Sequence, residues 1–548
     1  MRSIRASISG SALALALAAC DSGVPAPIPR AHPESNEPRR GGTVTSASFG
    51  DIRFIDPANV ADGLVPMILQ QIFAGLVDFD LDGKIKPDLA ERWTTEGDGR
   101  IHRFVLRRGV RFHDGEEVTA DDVKRSVERA LHPTAPNPYA SYFAGIKGFA
   151  DFTAKKKEHL EGVTVEGSHE ITFTLDDPDS TFLPLLAMHM LRPVCRSAGS
   201  RYADGWHPCG AGPFKLPPGG WDHGREVRLV RHDGYWRAGL PYLDGARFLF
   251  HVTVNSQKLK FARGEQDVLR DFLAPDLLKL QADPRWKPHA EYEIEKQIGG
   301  IAMNVEMAPF DDVEIRRAVA AAIDREQLRL IRAGNLRAGT KPVPPGVEGY
   351  DATLDCQRYD LDAALEHMRR AGYPYDPITK TGGYPHVVPY LTYAESLDEA
   401  MAQVFQQQLA KIGIRLELRL TSYATLLALR GRRKQAAIGP GFWQQDYPEA
   451  STFLEPLFHG RSINDADANN WSFYENARFD ELVDRARKDP DVEVRRTYYR
   501  EAQRIVCDEA PWAFTHFYRH YTQWQPYVRD FRPHPMWTMD LARTWVDR

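Results

Sequence analysis

From Gly41 to the C-terminus the chain alternates short runs of period two with stretches of helical period, separated by brief turns, a pattern that predicts mixed α/β or α+β domains. Residues 101–112 (IHRFVLRRGVRF) predict a strand and a turn. Thr119 follows as an N-cap with Asp122 three residues on, and Val123, Val127 and Leu131 form the apolar stripe of the helix it starts. Val163 and Val165, then Ile171, Phe173 and Leu175 alternating with Glu170, Thr172 and Thr174, predict a pair of strands. In the C-terminal half Ser396 and Glu399 make a capping box before a stripe of Met401, Val404, Phe405, Leu409 and Ile412, and Gly413 ends that helix. Ile414, Leu416, Leu418 and Leu420 then alternate with charged residues, so a helix feeds a strand with one buried face. Another helix, residues 360–371, stops at Gly372 with Pro374 just beyond.

The 548 residues are enough for three to four domains of ordinary size, and 43% of them are hydrophobic. Lys+Arg 70 against Asp+Glu 75, without a long basic run, excludes an electrostatically driven nucleic-acid binder. The one segment apolar enough to meet a membrane is N-terminal: Arg2 and Arg5 precede an uncharged run over residues 8–19, too short to span a bilayer and suited to an export signal over residues 1–19. It ends in Leu17-Ala18-Ala19-Cys20, which resembles a bacterial lipobox and makes Cys20 the lipidation site. Residues 20–40, with Pro25, Pro27, Pro29, Pro33 and Pro38, read as a proline-rich tether. In an exported chain the remaining cysteines, Cys195, Cys209, Cys356 and Cys507, are expected as structural disulfides or buried thiols, with three pairings open and Cys195 nearest to Cys209 in sequence.

Motifs for chemistry are weak. Asp78, Asp80, Asp82 and Gly83 open like a calcium loop, but position twelve is Leu89 and Pro87 interrupts it, so a turn between strands is expected. Gly210-Ala211-Gly212-Pro213 lacks the third glycine of a dinucleotide fingerprint and puts proline where a helix should open. No P-loop, H-E-x-x-H, C-x-x-C or G-x-S-x-G string occurs, so neither a metal site nor a cofactor is expected and the pattern suits a binding protein more than an enzyme.

The strings GGTV (41–44), IDPANVADG (55–63), IFAGLVDFDLDGKIKPDLAERW (72–93), FHDGEEVTADDVKRSVERAL (112–131), MNVEMAPFDDVEIRRAVAAAIDREQL (303–328) and YDLDAALEHMRRAGYP (359–374) resemble, in order, family 5 of the bacterial extracytoplasmic solute-binding proteins, the oligopeptide, dipeptide and nickel class that serves ABC importers. The resemblance implies a two-lobed type II periplasmic-binding-protein fold with an extra subdomain. Lobe I would comprise residues 41–75, 200–296 and 515–548, its subdomain 76–199, and lobe II 297–514. It also implies a monomer outside the cytoplasmic membrane that closes over its solute and delivers it to permease and ATPase subunits.

Two strings point to the oligopeptide-binding branch. Residues 138–142 (PYASY) resemble the segment that presents a tyrosine to the peptide, here Tyr139, and Trp443-Gln444-Gln445-Asp446-Tyr447 resembles the string whose aspartate pairs with the peptide's α-ammonium. Asp446 is therefore the leading site residue, with Trp443 and Tyr447 beside it; the plainer reading of Asp446 is a turn cap before Pro448. Asp62, Gly63 and Leu64 fall where the family supplies backbone groups to the ligand, and Arg430 where it supplies a carboxylate-binding arginine, although Arg430, Arg432 and Arg433 also read as a solvated basic patch. Pro440 and Asp398 stand where the branch has a second arginine and a histidine. A nickel chelate, haem or a modified peptide is the alternative ligand; a signalling lipoprotein or a surface peptidase is the alternative role.

Overall fold

The computed structural model describes residues 25–59, 64–135, 137, 139–198, 206–293, 297–331, 336–393, 396–465 and 468–548. Three sheets organise them. The first has the strand order Ala290–Tyr292, Tyr521–Trp524, Val268–Leu269, Thr43–Ala47, Gly245–Leu249, Glu226–Arg231 and Phe214–Lys215, with Trp221–Asp222 paired beside Glu226–Arg231. The second runs Leu336–Ala338, Trp512–Tyr518, Gln297–Met303, Ile438–Gln444, Val387–Tyr393 and Arg415–Thr421. The third is an antiparallel set, Ala90–Glu96, Ile101–Leu106, Glu170–Thr174 and Val163–Glu166. Helices cover the sheets, giving a mixed α/β molecule in which the first and second sheets each anchor a lobe.

Local rules account for the helices. Thr119 and Asp122 close the capping box that starts Ala120–Leu131. Asp360 accepts from the amide of Ala363 to start Leu361–Arg370, and Gly372 at φ +85° ends it. The helix Ser396–Ala410 and the strand Arg415–Thr421 form the helix-to-strand unit, and that strand pairs in parallel with Val387–Tyr393. The acidic string at 78–83 is the turn between Val77–Phe79 and Ile85–Pro87. In it Asp78 is buried against Arg192 at 3.2 Å; burial resists its ionisation, but Arg192 and Lys86 hold its carboxyl well below the usual range. Gly210 and Gly212 let the chain pass within van der Waals contact of the backbone at Gln71 and Ile72, where a Cβ would sit 2.5 Å from main-chain atoms.

Between the first and second sheets the chain crosses twice. It leaves the first sheet after Tyr292, enters the second at Gln297, and returns between Tyr518 and Tyr521. The two crossings are neighbours, because Tyr292 pairs with Tyr521 and Ile298 with Phe517. The strand Trp512–Tyr518 belongs whole to the second sheet, so the return falls later than the division expected after residue 514. A bulge interrupts its ladder at Thr515, but pairing resumes at His516 and Phe517, so the strand stays in the second sheet past residue 514.

The N-terminal segment also differs from expectation. The tether expected over residues 20–40 is, from Pro25 onward, laid against the first lobe. The Trp286 indole donates to the Pro25 carbonyl at 2.9 Å, Ile28 packs on the first-sheet core, and the buried Asp547 receives Arg30 and His32 at 2.9 and 2.8 Å. Proline composition set the extended conformation, while partners more than two hundred residues away set its position. Cys195 is bonded to Cys209 and Cys356 to Cys507, with Cα separations of 5.4 and 5.2 Å. Asp114 lies beside the first pair, but bonded sulfurs have no thiolate to offer a metal.

Candidate functional site

The strand Ile438–Gln444 lies inside the second sheet and carries the chain to Asp446. Along one edge it pairs over its full length with Gln297–Met303. Along the other it meets Val387–Tyr393 only at Tyr390 opposite Ile438, after which the two strands diverge. Over the face of these strands, beside the helix Ser396–Ala410, lies a cavity of about 390 Å³ lined by Tyr390, Asp398, Pro440, Phe442, His516 and Tyr518. From this strand Pro440, Gly441 and Phe442 reach the cavity.

Past the strand, the turn at 445–450 is fixed from behind. The Arg495 guanidinium and the Tyr499 hydroxyl both donate to buried Glu449, at 3.1 and 3.0 Å, and burial still pushes the Glu449 carboxyl up to about 6. Asp446 projects from this turn. Its amide donates to Thr452 Oγ1 at 2.8 Å, and the Thr452 hydroxyl donates back to Oδ2 at 3.3 Å. From the other side of the cleft the Tyr142 hydroxyl donates to the same oxygen at 2.9 Å. Tyr142 stands on the turn Ala140–Phe143 of the third-sheet subdomain, so both bodies hold one carboxylate.

Asp446 is half-buried by exposed area, yet burial dominates its titration and pushes it up to about 7 against the two hydroxyl donors. Among the described residues no cation is one of the groups that act on it. A desolvated carboxylate with aligned donors and no counter-ion is a receptor for a positive charge.

The other expected residues occupy several positions. Tyr139 is half-buried with its ring 5.6 Å from that of Tyr142; burial, then the charge of Asp446, raises its hydroxyl pKa. It walls the site, while Tyr142 makes the contact. Trp443 lies on the strand with its ring 6.2 Å from Trp471, and its buried indole nitrogen has no hydrogen-bond partner among the described residues. Tyr447 turns away into the third-sheet core, its hydroxyl 3.1 Å from Ser451. Leu64 begins the helix Val65–Ile72 and packs on the first-sheet core, whereas Asp62, Gly63 and Cys20 lie outside the described residues.

Arg430 differs most from its expected surroundings. It is buried, neither a solvated patch nor a lining residue of the two cavities described here. Its guanidinium lies 3.4 Å from the Trp471 ring centroid and 4.3 Å from that of Phe442, and it donates to the Pro440 carbonyl at 3.0 Å.

A second cavity, about 480 Å³, lies beyond Asp446 between the subdomain and the helices of lobe II, lined by Tyr142, Asp179, Tyr447, Thr452, Glu455 and Arg487. Arg487 crosses it, pairing with Asp179 at 2.8 Å and Glu455 at 3.0 Å, and Lys488 reaches Asp177 at 3.1 Å. These pairs, with Tyr142 on Asp446 and Gln445 on Met536 at 3.2 Å, describe lobes in contact. Sequence reasoning missed Tyr142, Thr452, Asp179 and Arg487. The only local signal was the second tyrosine of the PYASY string.

The chain matches the family described as bacterial extracellular solute-binding proteins, family 5 Middle, over residues 84–465. It belongs to this family. It is 29% identical over 534 residues to heme-binding protein A of Haemophilus influenzae, covering 93% of each chain. It is 28% identical over 465 residues to the glutathione-binding protein GsiB of Salmonella typhimurium, covering 84% of this chain and 85% of that one. Among solved structures, clavulanic acid biosynthesis oligopeptide binding protein 2 superposes with a TM-score of 0.84 at 23% identity, over 96% of this chain and 99% of that one. The periplasmic binding protein DppA from Helicobacter pylori, in complex with the peptide STSA, superposes with 0.75 at 23% identity, over 93% and 99%. These likenesses show the two-lobed periplasmic-binding-protein fold. As a family 5 protein the chain is an extracytoplasmic solute-binding protein of the ABC-importer class, and none of its described helices is long and apolar enough to cross a membrane.

Proposed function

We propose that this family 5 protein is a lipid-anchored receptor, monomeric and acylated on Cys20, that captures peptides by closing its lobes about the paired crossings and hands them to permease and ATPase subunits. The observation that carries the reading is Asp446, a carboxylate gripped by Tyr142 and Thr452 with no cation of its own. A peptide's α-ammonium fits it, with a contact energy of about 4 kcal/mol at an effective dielectric near 20. Beyond Ile438 the strand Ile438–Gln444 has no further ladder pairing with Val387–Tyr393, and an extended main chain laid along it suits a ligand read through its backbone. Four steps along the chain separate Asp446 from Phe442, so roughly 13 Å along the ligand its fourth or fifth residue would meet Asp398, Tyr390 and Tyr518. The role is capture and release without a covalent step. Denaturing release and mass spectrometry of copurified ligand, with calorimetry of free and N-acetylated peptides, tests it. Copurified peptides and weaker binding of the acetylated ones are expected; equal affinity for both ends the ammonium assignment.

Haem is the second reading, favoured by the coverage of the Haemophilus influenzae relative. A visible-absorption titration with haemin separates the two. A saturable Soret shift, competed by no peptide, would favour haem.

A further inference from the structure

Residues 25–32 do more than touch the first lobe. Besides the Trp286 indole on the Pro25 carbonyl, the Ile28 amide donates to Gln525 at 3.1 Å, and the Ala31 amide donates to the Asp547 carbonyl at 2.9 Å. Ile28 also fills the space that Gly264, at φ +71°, leaves open. The chain between the acylated cysteine and the folded body is therefore short. A free tether from Cys20 to Gly41 would reach about 70 Å, longer than the body, whose size scaling gives a radius of gyration near ~24 Å and a width of about 60 Å. With the segment docked, only the five residues from Cys20 to Pro25 remain, a reach of about 18 Å at full extension. The anchor then cannot serve every face of the protein.

The face it serves is built by the helices Val254–Ala262 and Ala274–Ala282. Pro25 sits in a shallow depression with Val254 and Lys258 of the first helix and Leu273 and Leu280 at the second. Lys258 and Asp276 tie the two helices together at 2.6 Å. This helix pair also carries three exposed leucines, Leu259 at 56%, Leu273 at 45% and Leu278 at 52%, with Lys279 exposed beside the last. Exposed apolar side chains with a neighbouring lysine suit the boundary between headgroups and acyl chains.

We infer that the helix pair Val254–Ala262 and Ala274–Ala282 rests on the lipid surface bearing the anchor, which orients lobe I on the membrane and leaves lobe II to swing about the crossings. The inference rests on acylation of Cys20 as proposed above. The full-length acylated protein in phosphatidylcholine and phosphatidylglycerol vesicles without permease tests it, labelled with a fluorophore through Leu278→Cys or, on lobe II, through Ile378→Cys, whose side chain is 90% exposed. Headgroup-nitroxide lipids should quench the label at 278 at least threefold more than that at 378. Adding Trp286→Phe and Asp547→Ala to free the segment should abolish that contrast while the protein still floats with the vesicles. Equal quenching of an acylated, floating protein overturns the orientation and leaves the anchor intact. Contrast that persists in the freed variant overturns the docked segment as its cause. Cross-linking between copies through position 278 in place of quenching gives the face to a second copy and also overturns it. An intact mass without acyl groups, in protein that does not float, overturns the anchor and the orientation together.

Discussion

The titration of Asp446 is the most exposed point of the functional reading. Its carboxyl is pushed from 3.8 up to about 7 by burial, and an ammonium binds only the ionised form. At pH 5 about 1% of the empty protein carries that form and at pH 7 about half, so the association constant for a peptide with a free N-terminus should rise about 50-fold between them, roughly 2.3 kcal/mol, and then level off. The peptide's own α-amino group, titrating near ~8, stays charged across this range. Binding at pH 6 should release close to one proton per peptide, read by calorimetry in two buffers of different ionisation enthalpy. Asp446→Asn should flatten the profile and abolish the release. Stability carries the opposite sign. A carboxyl raised in the folded state makes no difference below its ordinary value, costs stability as pH climbs from 3.8 to about 7, and above that costs on the order of 4 kcal/mol, which Asp446→Asn should return in a denaturant melt at pH 8. Parallel pH slopes in wild type and Asp446→Asn, or binding without proton release, would refute the reasoning.

Tyr142→Phe removes a donor to the Asp446 carboxylate, so the midpoint of the binding profile should move above pH 7 and affinity at pH 7 should fall by about tenfold, the worth of a charge-assisted hydrogen bond; an unmoved midpoint would detach Tyr142 from the site. Arg487→Ala leaves Asp179 and Glu455 facing each other across the cleft, so small-angle scattering of the empty protein should report a larger radius of gyration and peptide affinity should drop; an unchanged radius would mean that the pair does not hold the lobes. Asp398→Asn should weaken peptides with Lys or Arg at the fourth or fifth position more than those with Ala there, and equal losses in a peptide-array competition would place that cavity outside the ligand's path. Arg430→Leu should lower the melting temperature by several degrees through lost packing on Trp471 and Phe442, with no change in preference for a free or amidated peptide C-terminus.

What the sequence made legible was local. Thr119 with Asp122, and Asp360 with Gly372, declare helix ends from residues three to twelve apart, because caps and left-handed glycines act on their own turn. Resemblance supplied the lobes and Asp446. Illegible were pairings in which the partner lies far along the chain. Nothing near residue 430 announces Trp471, and nothing in the proline-rich stretch announces Trp286 or Asp547. Tyr139 and Tyr142 could be ranked only once the fold set one hydroxyl beside Asp446 and turned the other into the wall.

The two crossings between sheets dictate an order of assembly. Everything needed for the second sheet lies within one continuous stretch, from Gln297 to Tyr518, so that lobe can complete itself as soon as those residues are present. The first lobe cannot. Its sheet seats Tyr521–Trp524 between Ala290–Tyr292 and Val268–Leu269, and Asp547 near the end of the chain is what the N-terminal segment docks on. Until roughly the last thirty residues arrive, the first sheet lacks the strand that joins Ala290–Tyr292 to the rest of it. A chain of this topology closes its second lobe before its first, and the lobe that begins the sequence is the last to be finished.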